Sequence, residues 1–136
     1  MTEKGEGIYT PEWTRRTYLE CGRRTAGIIE ADGRALVDAT FHSGSDRAVF
    51  LTHANFLRIP AVFLVCQADP ALVRHRLRAR RGDASDADER VYAELAAKWT
   101  GRMPGVHERQ TVEIDTTDAG RALEQALGVL RGIGLA

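Results

Sequence analysis

A run of six apolar residues, Ala61–Cys66, constrains the fold more than any other feature of the sequence. Pro60 precedes it, and Asp69-Pro70 follows it with the N-cap and first-turn proline that are typical of a helix start. An apolar run without polar alternation indicates a strand buried on both faces, as in a parallel sheet. The succession of strand and helix therefore predicts a parallel sheet with helical crossovers.

The same alternation extends along the whole chain. Strands are also predicted over Ala35–Thr40 and Thr111–Asp115, the second from its β-branched residues and period of two. Apolar spacing predicts five helices. The first lies over residues 11–31, and the second runs from Ser43–Ser45 through Val49, Phe50, His53, Phe56 and Leu57. The third runs from Pro70 to about Arg80, the fourth lies around Val91, Leu95 and Trp99, and the fifth lies around Leu123, Leu127 and Leu130. We therefore expect an α/β fold in one domain, 1–136.

The composition excludes several classes of function. Lys and Arg together number 19, as do Asp and Glu, so the formal net charge is zero. A nucleic-acid-binding or membrane-surface protein would need a basic excess, and neither partner is expected. The N-terminus has no apolar leader and no apolar run is long enough to span a bilayer, so we expect a cytoplasmic protein.

Ligands of open parallel sheets bind outside the carboxyl ends of the strands. The three predicted strand ends carry residues 38–40, 67–69 and 115–117, all of which include an Asp. Asp38 closes an apolar run, and a carboxylate there would be costly to bury without a metal, a cation or several donors. It is a candidate magnesium ligand or acid–base group, and the alternative is a helix cap without a ligand. Thr40 either contacts a phosphate or merely ends the strand.

Five arginines fall within the eight residues 74–81. Arg76 and Arg80 are four residues apart, so on a helix they share a face and could grip a polyphosphate. The alternative is a solvated helix balanced by the acidic residues that follow, and a nucleic-acid stripe is disfavoured because those acids cancel the field.

A Walker A motif is absent from these 136 residues. The motif requires a Lys after a Gly, and the two lysines, Lys4 and Lys98, follow Glu3 and Ala97. The sequence therefore contains no phosphate loop of that kind.

Four stretches nevertheless resemble the P-loop kinase-like ATPase domains that are grouped with polynucleotide kinase, zeta toxins and chloramphenicol phosphotransferase. The nearest likeness is to the ATPase domain fused to bacterial aminoglycoside-phosphotransferase-like proteins. The stretches are Gly5–Glu12, Leu36–Phe41, Val65–Ala68 and Gly82–Asp88. The resemblance implies a three-layer, parallel-sheet P-loop NTPase-like fold. In this family the first βα unit, with the phosphate loop, precedes the segment that resembles Gly5–Glu12, so we expect this chain to lack that unit.

The resemblance also implies the roles of individual residues. Asp38 matches the catalytic and magnesium-binding acid, with Thr40 beside it, and a lid of about residues 74–90 closes over the nucleotide. Arg76, Arg80 and Arg81 match the lid arginines that contact its phosphates, and Asp115 and Thr117 would lie near the adenine. ATP and magnesium are the implied cofactors, and the acceptor is a small molecule that the sequence does not identify.

Two functions follow as expectations. The first is the C-terminal portion of an ATP-dependent small-molecule phosphotransferase, inactive alone because it has no phosphate loop. The alternative is a degenerate, non-catalytic relative that acts as a binding or oligomerisation module. In the family the phosphate-loop strand lies between the strands that match those ending in Asp38 and Cys66. Its loss predicts marginal stability, or a partner that supplies a strand, either a second copy or a complementing N-terminal segment.

Overall fold

A computed structural model describes residues 11–41, 43–80, 86–98 and 109–136. Its elements in chain order are α1 (Pro11–Glu30), α2 (Gly44–Phe56), β1 (Phe63–Gln67), α3 (Pro70–Ala79), α4 (Asp86–Lys98), β2 (Thr111–Asp115) and α5 (Ala119–Gly132). The predicted site residue Arg81 lies outside the described residues, as do residues 5–10 and 82–85 of the resembling stretches. No helix of the described segments is long and apolar enough to cross a membrane.

The chain divides into two compact units, residues 1–41 and 42–136. In the first, α1 ends at a tight turn in which the Gly33 N–H donates to the Ile28 carbonyl over 2.8 Å. A Cβ on Gly33 would meet the Ile28 side chain at 2.7 Å, so this turn requires glycine. The Phe41 N–H donates to the Tyr18 hydroxyl over 2.8 Å, and the two rings pack with centroids 4.8 Å apart. These contacts fasten the end of the unit to α1.

The strand predicted over Ala35–Thr40 is wrong. Residues 33–40 have no regular secondary structure, and Leu36 is 93% exposed. A strand forms only where its backbone groups pair with a neighbour, and the described residues provide a sheet of β1 and β2 alone. Asp38 is therefore exposed rather than placed at the end of a buried strand.

The second unit contains the parallel pair that the sequence predicts. β1 and β2 run in register from Phe63↔Thr111 to Gln67↔Asp115, and the crossover between them includes α3 and α4. Val65 and Ile114 are the buried residues of this pair.

Helix α2 buries a different face from the predicted one. Arg47, Leu51 and Ala54 are its buried residues, spaced to share one side of the helix. Most of the predicted apolar face is exposed instead, with Phe56 81% accessible, although Phe50 is half-buried. Burial of the Arg47 guanidinium lowers its pKa, since desolvation disfavours the charged form.

Helix α3 begins where Asp69-Pro70 predicts. The Asp69 carboxylate accepts a hydrogen bond from the Ala71 N–H over 2.8 Å, and Pro70 occupies the first turn. Helix α5 begins in the same way, since the Asp118 carboxylate accepts from the Arg121 N–H over 2.9 Å. Each helix starts shortly after a strand ends, so the N-termini of α3 and α5 both lie at the carboxyl edge of the sheet.

Truncation of core side chains should destabilise the second unit. Leu51 and Ile114 are each 2% exposed, and replacement of either by Ala is expected to lower the free energy of unfolding by about 2–4 kcal/mol. Ile114→Val, which removes one methylene, should lower it by about 1 kcal/mol and keep the fold measurable. Urea unfolding followed by circular dichroism gives the comparison. Leu36→Ala is the control. If it lowered the free energy of unfolding as much as Ile114→Ala, the assignment of Ile114 to the core would be wrong.

Candidate functional site

The candidate site lies at the carboxyl ends of β1 and β2. The Thr116 N–H donates to the Gln67 carbonyl over 2.8 Å, which extends the parallel ladder by one residue. The Thr116 hydroxyl donates to the same carbonyl over 3.0 Å. The two strand ends are thus fixed side by side, as the sequence predicts for residues 67–69 and 115–117.

A polar groove of about 490 Å³ opens at this edge. It is lined by carboxylates, amides and small side chains from both strand ends and from α5, namely Gln67, Ala68, Asp69, Glu113, Ile114, Asp115, Thr117 and Gln125. The lining therefore offers hydrogen bonds and negative charge. It suits a neutral or cationic group better than a phosphate, which three carboxylates would repel.

Asp115 and Thr117 are hydrogen-bonded to each other in the groove wall. One carboxylate oxygen of Asp115 accepts from the Thr117 N–H over 2.9 Å and from the Thr117 hydroxyl over 2.6 Å. These two hydrogen bonds, and to a smaller extent the positive charge of Arg76, lower the pKa of Asp115 below its ordinary value. The carboxylate is therefore ionised at neutral pH and acts as a fixed acceptor.

Arg76 reaches the same turn from α3. Its Nη2 donates to the Thr116 carbonyl over 2.7 Å and to the Thr117 carbonyl over 3.1 Å, and its Nη1 lies 3.5 Å from the Thr116 hydroxyl oxygen. The structure thus brings together three of the predicted residues, Arg76, Asp115 and Thr117.

Arg80 is the C-cap residue of α3, and its backbone N–H donates to the Arg76 carbonyl over 3.2 Å. Its side chain is exposed and forms no hydrogen bond with the part of the chain that the structure describes. The phosphate role predicted for Arg80 remains a prediction.

Asp38 and Thr40 lie in the first unit, in the exposed segment without regular structure. The groove belongs to the second unit. The roles predicted for these two residues as catalytic groups stay predictions, since they rested on a strand end that did not form.

Within the described ranges no group of three or more His, Cys, Asp or Glu side chains could hold a metal ion. Magnesium is commonly held by one or two carboxylates together with substrate phosphates. Asp38 would fit such a shell only beside a nucleotide whose phosphates are already bound.

Glu113 and Gln125 are groove residues that the sequence did not indicate. The Gln125 side-chain amide donates to the Glu113 carbonyl over 3.2 Å and links α5 to β2. Glu113 could have been found, because it is two residues before Asp115 and so shares its face of the strand. Gln125 has no such signal, since only the packing of α5 brings it to the groove.

Comparison with known proteins gives one family match. A family model described as an AAA domain matches residues 1–101, which is most of the chain and includes one strand end of the groove, 67–69. No curated protein and no solved structure matches significantly.

The hydrogen bond from the Thr117 hydroxyl should be visible in the titration of Asp115. Thr117→Val removes this donor and keeps the Thr117 N–H, so the pKa of Asp115 should rise toward its ordinary value. Because the native pKa is lowered, the interaction stabilises the fold above the unfolded-state pKa, and this stabilisation is lost as the pH falls through the native value. Carboxyl carbon NMR measures the titration. Thr17→Val on α1 is the matched control. An unchanged pKa of Asp115 in Thr117→Val would contradict the hydrogen bond from the Thr117 hydroxyl.

Proposed function

We propose, because the chain belongs to the AAA domain family, that it supplies the C-terminal portion of an ATP-dependent small-molecule phosphotransferase. The match over residues 1–101 is the observation that carries this proposal, and it supports a P-loop NTPase-like domain of the kinase or ATPase type. The parallel pair of strands with its helical crossover is compatible with such an α/β fold.

The groove at the strand ends is the proposed site of the nucleoside part of ATP. Its carboxylate and amide oxygens can accept hydrogen bonds from an exocyclic amine and from ribose hydroxyls. Asp115 and Thr117 are the proposed contacts, since both line the groove and the carboxylate is held in one orientation. With the nucleoside in the groove, the phosphates of ATP would be bound by positively charged side chains outside it.

Arg80 and Arg81 are the proposed phosphate contacts. The support for Arg80 is its exposed side chain at the end of α3, and Arg81 follows it in sequence. Both fall in the lid that the family resemblance implies. A guanidinium can bind phosphate oxygens in a bidentate manner, which suits this role.

For the enzyme candidate, we propose that the phosphate loop comes from another segment, because these 136 residues contain no Walker A sequence. Such a loop supplies backbone N–H groups and a Lys for the β- and γ-phosphates. We propose a complementing segment as the partner, and the acceptor is an unidentified small molecule. ATP and magnesium are the proposed cofactors, and Asp38 is the carboxylate of this chain assigned to the catalytic centre, with Thr40 beside it.

The same absence favours a second candidate, a non-catalytic relative that acts as a binding or oligomerisation module. Without a phosphate loop a P-loop fold loses its main contact with the γ-phosphate but can retain a site for the rest of the ligand. The two candidates differ in whether a complementing segment restores chemistry.

Complementation tests the enzyme proposal. The chain alone should hydrolyse ATP at the background rate. After mixing with a segment that carries a strand, Gly-x-x-x-x-Gly-Lys-[Ser/Thr] and the following helix, hydrolysis should appear because the γ-phosphate is then held. Within that complex, Asp38→Asn and Arg80→Ala should each lower the rate about tenfold or more. A coupled assay for released ADP measures the rate.

Glu30→Gln and Arg131→Ala are the matched controls, since both side chains are exposed and lie outside the proposed site. A soluble complex that does not hydrolyse ATP would contradict the enzyme proposal and support the proposal of a non-catalytic binding module. Hydrolysis by the chain alone would contradict the need for a separate phosphate loop.

A further inference from the structure

We infer that Arg76 is a positioning residue, which holds the turn after β2 against α3 and so fixes the groove wall for a hydrogen-bonding ligand. The groove's role as a ligand site rests on the proposed function. The contacts of Arg76 do not rest on it, and they can be tested without any ligand. The inference gives Arg76 a different task from the phosphate contact that the family resemblance implies.

The geometry of the contact carries the inference. One guanidinium spans two consecutive backbone carbonyls and one hydroxyl, at 2.7, 3.1 and 3.5 Å. The sequence separation between Arg76 and its partners is 40 residues for Thr116 and 41 for Thr117. Hydrogen bonds from a charged donor are about twice as strong as neutral ones. Arg76 is exposed, yet its guanidinium cross-links α3 to the turn of residues 115–118.

The turn that Arg76 holds is also the turn that shapes the groove. Thr116 is bound on its other side to the Gln67 carbonyl through both its N–H and its hydroxyl. Thr117 is bound to the Asp115 carboxylate through the same pair of groups. When Arg76 is removed, the Thr116 and Thr117 carbonyls lose their charged partner, and the wall that presents Asp115 loses its connection to α3.

A phosphate would have to compete with these contacts. To bind one, the Arg76 guanidinium would release two carbonyl oxygens and a hydroxyl oxygen. Arg74 and Arg80 are exposed, and neither side chain forms a hydrogen bond with any described residue, so they meet a phosphate without that loss. The planar fork of Arg also matters, because Lys would restore the charge but not the simultaneous reach to several oxygens.

The first test uses the ligand-free chain. Arg76→Ala should speed hydrogen exchange of the Thr116 amide about tenfold, which corresponds to the loss of about one charge-assisted hydrogen bond. It should also raise the pKa of Asp115 toward its ordinary value. Arg76→Lys should recover the Asp115 titration, because the charge returns, but not the exchange protection. Arg131→Ala, an exposed arginine in the same unit, should change neither quantity.

The second test separates positioning from phosphate contact with two probes, adenosine and inorganic tripolyphosphate, measured by NMR titration. Arg76→Ala should weaken adenosine binding about tenfold and leave tripolyphosphate binding unchanged, whereas Arg80→Ala should do the reverse. Weaker tripolyphosphate binding in Arg76→Ala, with Thr116 exchange unaltered, would overturn the inference. If adenosine does not bind the unmodified chain, the groove's proposed role fails, and the ligand-free test alone still decides whether Arg76 positions the turn.

Discussion

The parallel pairing of β1 with β2 is the interaction on which the rest of the second unit depends. Parallel strands require a crossover, so the pairing fixes where α3 starts and where the chain returns. The register sets Gln67 beside Asp115, and the next residue, Thr116, closes onto the Gln67 carbonyl. A register change of one residue would turn Ile114 out of the core and the Asp115 side chain away from the groove, because side chains alternate between faces. The groove is thus a product of strand register.

Charge at this edge of the sheet comes from two kinds of side chain. Carboxylates line the groove, and Arg76 donates hydrogen bonds to the Thr116 and Thr117 carbonyls of the adjoining turn. The hydrogen bonds from Thr117, and to a smaller extent the positive charge of Arg76, lower the pKa of Asp115. The Asp115 carboxylate is therefore ionised at neutral pH and offers a hydrogen-bond acceptor to the groove.

The sequence predicted the elements whose signals are local. Asp69-Pro70 specifies a helix start through its own capping hydrogen bond, and the alternation of Thr111–Asp115 specifies a half-buried strand. The failures concern residues whose structure depends on distant neighbours. Ala35–Thr40 has strand composition but belongs to no sheet that the described residues form, and Phe56 is 81% exposed on its helix face. For the same reason the spacing of arginines predicted Arg76 and Arg80 on one helix face, whereas α3 ends at Ala79 and Arg80 is its extended C-cap. The spacing also could not show that Arg76 is engaged by the turn after β2.

The proposed complementing segment would give these failures one physical cause. The sheet that the described residues form has two strands, which are rarely stable alone, and β1 has no charged residue that would oppose pairing with a further strand. In the family that the sequence resembles, the strand before the phosphate loop lies next to the one that matches β1. When a segment that carried the loop bound to this chain, it would therefore add both a strand to the sheet and a phosphate-binding loop to the site. Its binding free energy would add to the stability of the fold, so that catalytic competence and folding would be linked through one interface.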